Sequence, residues 1–205
     1  MRFSVVVLVI AILSCLFPLI PSFIDVMAAK QAVRSVENFQ AGMLFFFSLF
    51  TLFYTKPWQM STKGQKHFWF WAVCWWILLF GRSVSWGRDY FPEVPKVYFR
   101  SISVVLIGAV VFFLFSPHLR QEIARQWKIL SFPVWAFLLA VAGLVISDSI
   151  EHVRAIHVLF VEDLRYQSFM EELYEFPLIL GLFLMQWPLL QRDVKAHKTQ
   201  VEAIG

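Results

Sequence analysis

The sequence predicts an all-α protein, a polytopic transmembrane helical bundle of six spans with both termini in the cytoplasm. Hydrophobic residues make up 59% of the 205 residues and charged residues only 16%, whereas a soluble domain carries about a quarter charged residues. Nine Trp and twenty-three Phe exceed what the core of a soluble chain of this length needs. The excess apolar surface indicates a protein that faces lipid, and we expect it in the inner (plasma) membrane.

Six apolar stretches have the composition of spanning helices, which need about 20 residues to cross the hydrocarbon core. They are 3–24, 41–54, 67–84, 101–115, 133–147 and 169–190. The second, fourth and fifth stretches are short, so we expect them to borrow flanking residues. The six spans are predicted to form one domain, 1–190, followed by a polar cytoplasmic tail, 191–205, in which residues 197–200 are expected to be disordered.

The first stretch begins as a secretory signal would, with Arg2 followed by apolar residues. Its apolar run continues through Leu19 to Ile24, which is too long for the hydrophobic region of a signal peptide. The sequence therefore predicts that this segment is retained as the first span.

Charge and cysteine content exclude several classes of function. A net charge of +4 suggests nucleic acid binding in a soluble protein, but here the basic residues cluster beside apolar runs. Lipid headgroups are therefore the expected anionic partner, and no nucleic acid is expected. Cys15 and Cys74 both lie inside apolar runs, which excludes a disulfide scaffold and a cysteine-based zinc site of ordinary spacing.

The distribution of charge predicts the orientation. Ten Lys and Arg fall on one side of the six-span arrangement and eight on the other, so the first side is assigned to the cytoplasm. Eleven of the fourteen acidic residues fall on the opposite, outer side. Any local chemistry is therefore expected on the outer face.

The first candidate site lies at the end of the third span. On a continuous helix Arg82, Ser85, Trp86 and Asp89 share one face, and Arg88 follows closely. An arginine near hydrocarbon is costly unless it finds a partner, so Arg82 or Arg88 is predicted to bind an anionic ligand beside Trp86 or to pair with a carboxylate on another span. The alternative is that Arg82 reaches outward to water while Trp86 belongs to an interfacial aromatic belt.

The second candidate site lies at the end of the fifth span. Asp148 and His152 stand four residues apart, so one helical face presents a carboxylate and an imidazole together. Such a pair suits a divalent metal, or a base with its orienting acid. The alternative is an amphipathic interfacial helix whose charges are solvated, and the conformation of 149–166 stays open.

The third candidate site lies at the start of the sixth span, where three glutamates fall within five residues. Glu171 and Glu175 share a helical face, and Glu172 points elsewhere. Carboxylates crowded near hydrocarbon favour proton transfer or metal binding. The alternative is that they lie in headgroup water, where negative charge at a helix N-terminus is favourable.

These three segments end on the same predicted face, so they suggest one polar cluster. The leading hypothesis is that this cluster binds a small ligand, a proton or a metal, or that the protein is the membrane subunit of an assembly. A second hypothesis is a metal-dependent intramembrane hydrolase or lipid-modifying enzyme. Asp148, His152 and Glu175 would then hold a divalent metal, and Glu171 or Glu172 would be the general base. A third is a proton-coupled transporter subunit. The expected partners are the lipid bilayer and a membrane protein or a second copy of the chain.

Overall fold

The computed structural model describes residues 5–88, 90–129 and 133–202. All regular secondary structure in these ranges is helical, so the predicted all-α class is confirmed. The described helices are α1 (Val5–Cys15), α2 (Val26–Thr55), α3 (Lys63–Ser83), α4 (Lys96–Leu114), α5 (Pro117–Ile129), α6 (Val134–Glu151) and α7 (Gln167–Glu202). Short 3-10 turns join several of them.

Five described segments are long and apolar enough to cross a membrane. They are Val5–Ser22, Val26–Gln59, Lys96–Leu114, Val134–Glu151 and Leu164–His197. Each overlaps one of the predicted spans, and the short second, fourth and fifth spans do borrow flanking residues. The predicted span 67–84 corresponds to α3, which has 21 residues but is rich in Trp and carries Lys63, Lys66 and Arg82. The chain thus has the helices of a membrane protein, while the count of six and the orientation stay predictions.

Local capping explains where two of these helices begin. The carboxylate of Asp25 accepts a 2.8 Å hydrogen bond from the backbone N–H of Ala28, which caps α2. The hydroxyl of Thr62 accepts a hydrogen bond from the backbone N–H of Gln65 at 3.2 Å, and it also bonds to the Gln65 side chain. Thr62 and Gln65 have the spacing of a capping box, which fixes the start of α3.

The two ends of the chain differ from the sequence prediction. The helix of the first apolar stretch ends at Cys15, and a 3-10 turn over Phe17–Ser22 follows. Pro18 and Pro21 lack the backbone N–H that a continuing α-helix requires. At the other end, α7 runs on to Glu202, so the expectation of disorder at 197–200 is wrong.

The segment after α6 is also not a helix, although it is rich in helix-forming residues. α6 ends at Glu151, Val153 adopts a left-handed φ of 49°, and two isolated 3-10 turns follow. The side-chain amide of Gln167 donates to the carbonyls of Ile150 and Glu151 at 2.9 and 3.0 Å. A residue sixteen positions away thus satisfies the end of α6. The segment 149–166 is not the continuous helix that the interfacial-helix alternative expected, because only two short 3-10 turns follow Glu151.

The chain divides into two compact units. The first comprises Met1–Gln40 and Ser131–Gln186, and the second comprises Ala41–Leu130 and Trp187–Gly205. Helices α2 and α7 contribute residues to both units.

In the first unit, α6 and α7 approach each other closely through small residues. A methyl group added at Gly143 would lie 2.5 Å from the backbone nitrogen of Leu178, and one at Gly181 would lie 2.7 Å from the backbone nitrogen of Ala140. Ala136, Ala140 and Gly143 recur at helical spacing along α6. Small residues at such positions let membrane helices pack backbone against backbone.

In the second unit, Trp69 of α3 lies at the centre of an apolar core. It is fully buried and packs with Met60 and Leu190, and Phe50 and Trp187 pack around them. The high aromatic content of the chain is therefore used partly for packing inside the protein as well as for contact with lipid.

A buried polar network fixes α3, α5 and α7 to one another in the second unit. The carboxylate of Asp193, which is 2% exposed, accepts from the indole N–H of Trp69 at 3.1 Å and the amide of Gln126 at 2.9 Å. Arg192 donates to the same carboxylate at 2.9 Å, and the Gln126 amide also donates to Glu122 at 2.7 Å. Sequence analysis missed this network because it placed Asp193 in a polar tail.

Candidate functional site

A left-handed turn follows α3 and sets the geometry of the first candidate site. Ser85, Trp86 and Gly87 have φ values of 47°, 60° and 93°. The helix ends at Ser83, so the prediction that Arg82, Ser85, Trp86 and Asp89 share one helical face is wrong. Asp89 itself lies outside the described residues.

The ring of Trp86 turns back onto the end of α3. A methyl group at Gly81 would overlap this ring, so a larger residue at that position would require the ring to move. Left-handed backbone at a residue other than glycine costs about 1–2 kcal/mol. The ring of Trp86 therefore packs against Gly81 while its own backbone adopts the strained left-handed conformation.

A cavity of about 270 Å³ lies between this turn and the first two turns of α4. Its lining combines three cations, two hydroxyls and two aromatic rings: Ser85, Trp86, Arg88, Lys96, Phe99, Arg100 and Ser103. Phe99 is 8% exposed and forms its apolar floor. The described lining residues carry three positive charges, from Arg88, Lys96 and Arg100.

The positions of two of these cations are unfavourable for α4 itself. Lys96 lies in the first turn, where a positive charge opposes the helix dipole by about 0.3–1 kcal/mol. Arg100 stands four residues later on the same face, and like charges at that spacing cost a further 0.2–0.5 kcal/mol, roughly. An anion bound between them would relieve both penalties.

Of the three predicted ligand-binding residues, Trp86 and Arg88 line this cavity and Arg82 does not. Arg82 lies exposed in the last turn of α3. Sequence analysis missed Lys96 and Arg100, because they follow Pro92 and Pro95 and were separated from Arg88 by a loop. Their spacing of four residues on one helical face was the available signal.

In the first unit, Asp148 and His152 do come together, as their spacing predicted. The Nδ1 atom of His152 lies 3.5 Å from a carboxylate oxygen of Asp148. Arg154 also pairs with Asp148 at 2.8 Å. All three side chains are at least one-third exposed, so this group is a solvated ion-pair cluster of small energetic weight.

The glutamates of α7 lie in a larger group than the sequence indicated. Glu171 is close enough to interact electrostatically with Glu37, Glu151, Glu175 and His152, and Glu172 interacts with Glu37, Glu171 and Glu175. We call Glu37, Glu151, Glu171, Glu172 and Glu175 the carboxylate cluster. Gln40, which is 1% exposed, donates to the backbone carbonyl of Glu172 at 2.6 Å and joins α2 to α7 beside the cluster.

The carboxylate cluster concentrates negative charge on side chains that, apart from the exposed Glu151, are partly buried. A proton or another cation would therefore stabilise it. The described residues hold no group of three or more His, Cys, Asp or Glu side chains arranged to bind a metal ion. The metal site predicted from Asp148, His152 and Glu175 therefore has no geometric support and stays a prediction.

Comparisons with protein-family models, with curated proteins and with solved structures give no significant match. The function is therefore argued from the chain's own residues.

Proposed function

We propose that this chain is a multi-pass protein of the inner (plasma) membrane that binds a small anionic ligand in the cavity between the left-handed turn and α4. The observation that carries the proposal is the convergence of Arg88, Lys96 and Arg100 on one cavity. In the six-span arrangement this cavity opens on the outer face, with both termini in the cytoplasm.

The chemistry of the lining suits an oxyanion such as phosphate or carboxylate. Guanidinium groups donate paired, charge-assisted hydrogen bonds to such groups, and an ammonium supplies a compact positive charge. The hydroxyl of Ser103 donates to the carbonyl of Arg100 at 2.7 Å, so its donor is occupied. Arg88, Lys96 and Arg100 are therefore the residues that would hold the anion, and Trp86 and Phe99 would exclude water from one side.

Ligand-induced stabilisation of the purified protein tests this proposal. We expect millimolar glycerol phosphate to raise the melting temperature of the wild type in detergent, because it binds only the folded cavity. A Lys96→Gln/Arg100→Gln variant should lose that increase. Lys30→Gln removes an exposed cation of α2 outside the cavity and serves as the matched control. An equal increase in all three proteins would contradict anion binding in the cavity.

The orientation has its own test. Reporters active only outside or only inside the cytoplasm, fused after residue 202 and within the Pro92–Pro95 loop, should report opposite sides. Finding both on one side would overturn the outer-face assignment of the cavity.

A second candidate function belongs to the carboxylate cluster, which we propose as a binding site for a proton or a small organic cation in a transporter subunit. The observation that favours it is the placement of Glu171 and Glu172 within an apolar segment beside three further glutamates. Because repulsion among these carboxylates falls when one is neutralised, binding of a first cation would weaken binding of a second, and the cluster would take up cations one at a time.

Infrared difference spectra recorded between pH 8 and pH 6 test the proton version of this candidate. We expect the carbonyl band of a protonated carboxyl in the wild type and its loss in Glu172→Gln. Glu162→Gln, which alters an exposed acid outside the cluster, should retain the band. A band unchanged in Glu172→Gln and Glu171→Gln would leave the cluster as solvated surface charge. The enzyme hypothesis, like a protein partner or a second copy of the chain, stays a prediction.

A further inference from the structure

The cavity beside α4 lies at the boundary between the buried side of that helix and its apolar exposed side. With 3.6 residues per turn, Lys96, Arg100 and Ser103 fall within about 60° of one another around the helix axis. Phe99 and Val110, which are 8% and 4% exposed, lie on one flank of this strip. Val97 and Val104, each 67% exposed, lie on the other flank, about 90° away.

The exposed flank of α4 has the composition of a lipid-facing surface. α4 belongs to a segment long and apolar enough to cross a membrane, and its exposed apolar side chains continue beyond the cavity: Val97, Ile102, Val104, Val105, Val111 and Phe112. A contiguous apolar surface of this kind requires contact with acyl chains or another apolar partner. It begins within one turn of the cavity's cations.

A membrane-spanning α4 would place the cavity at the depth of a lipid headgroup. Lys96 begins α4, and Ser103 lies seven residues, or about 10 Å, further along the helix axis. The cavity therefore lies along the first two turns of the candidate span. Phe91, 62% exposed, and Tyr98, also 62% exposed, flank it in the chain, and aromatic side chains of this kind gather at the membrane interface.

The volume of the cavity limits how much of a lipid can lie inside it. A cavity of about 270 Å³ lies near the lower end of the range for sites that enclose drug-sized ligands, about 300–1,000 Å³, so its size suits a headgroup rather than a whole lipid. A lipid bound here would place its phosphate among the cations and leave its acyl chains outside, along Val97 and Val104. A soluble anion would make no use of that apolar flank.

We infer that the ligand of this cavity is the phosphate headgroup of an anionic glycerophospholipid, with the acyl chains lying along the exposed flank of α4. The inference rests on the anion-binding function proposed above and names the class of ligand. The cations of the cavity would bind the phosphate, and the neighbouring apolar surface would favour a lipid over a free anion.

Native mass spectrometry of the detergent-purified protein tests this inference with two probes, dioctanoyl phosphatidylglycerol and glycerol phosphate. We expect one phosphatidylglycerol to bind at least about a hundredfold more tightly than glycerol phosphate, because several buried methylenes add to the headgroup contacts. Lys96→Gln and Arg100→Gln should each weaken lipid binding by about tenfold, since each removes a charge-assisted contact. Lys30→Gln should leave it unchanged.

The other outcomes separate the two proposals. If glycerol phosphate binds as tightly as the lipid and both cation variants weaken it, the anion site stands and the lipid inference fails. If lipid binding is the same in wild type and in both cation variants while glycerol phosphate still depends on them, the lipid binds elsewhere and the inference again fails. If neither probe depends on Lys96 or Arg100, both proposals fail. Val104→Asn keeps every cation, so a selective loss of lipid binding in that variant would support the acyl-chain path.

Discussion

The close approach of α6 and α7 predicts that a single added methyl group destabilises the protein. In Gly143→Ala the new Cβ would lie 2.5 Å from the backbone nitrogen of Leu178 and 3.0 Å from the carbonyl oxygen of Tyr174. Ordinary contact distances are about 3.5 Å or more, so the helices must part by about 1 Å. Both neighbouring atoms belong to the backbone of α7, which prevents relief by a side-chain rotation.

Two opposing terms set the size of the effect. Overpacking a close contact costs about 1–3 kcal/mol, and a backbone neighbour places this case at the upper end. Alanine returns about 0.8–1.0 kcal/mol of helix propensity. We therefore expect Gly143→Ala to lose about 2 kcal/mol of unfolding free energy, and Gly181→Ala to shift in the same direction because its Cβ meets Ala140.

Unfolding by sodium dodecyl sulfate in mixed micelles, followed by circular dichroism, measures this loss. Gly108→Ala is the matched control, since nothing lies within 4 Å of a Cβ at that position of α4. It should be neutral or gain up to about 1 kcal/mol from propensity alone. A Gly143→Ala protein as stable as Gly108→Ala would refute the reasoning, because the two helices could not then approach as described.

Two further predictions concern charged side chains. Asp193→Asn should lower the unfolding free energy by about 2 kcal/mol, because hydrogen bonds to charged groups contribute about 1.5–3 kcal/mol. The buried Asp193 carboxylate accepts such bonds from Trp69, Gln126 and Arg192. An equal loss in the exposed control Glu93→Gln would contradict this prediction. Hydrogen bonds from the side chain and backbone of Arg165 hold the pKa of Asp163 below its ordinary value of 3.8, so the stabilisation is present above pH 3.8 and is lost as the pH falls through the folded-state pKa. Arg165→Gln should return the pKa toward 3.8 in a carboxyl-carbon NMR titration, and an unchanged midpoint would show that the pair does not form.

Composition and hydropathy were sufficient to predict the fold class, because a chain with this much apolar surface has to satisfy its backbone within helices. They were also sufficient for the positions of five apolar segments. The end of α6 was not predictable from its neighbours, since no Pro or Gly follows Glu151 and the helix is ended by Gln167 from the start of α7. A contact between residues distant in sequence decides that boundary.

The candidate sites show the same division between local and distant determinants. Asp148 and His152 meet because helical spacing alone places them together. The cavity was missed in part because Ser85 and Trp86 adopt left-handed backbone that their residue types do not favour. Glu37 could not be assigned to the carboxylate cluster from sequence, because the pairing of α2 with α7 depends on tertiary packing such as the bond from Gln40 to Glu172.

The left-handed turn at Ser85–Gly87 bears on the order in which the structure opens. A stretch that holds two strained non-glycine residues needs less free energy to open locally than the helices on either side of it. The turn forms one wall of the cavity, so a bound anion would have to leave before the wall could open. Amide hydrogen exchange at residues 85–88 would then slow as the fraction of anion-bound protein rises. The exchange rate of this turn would therefore report how much of the cavity is occupied.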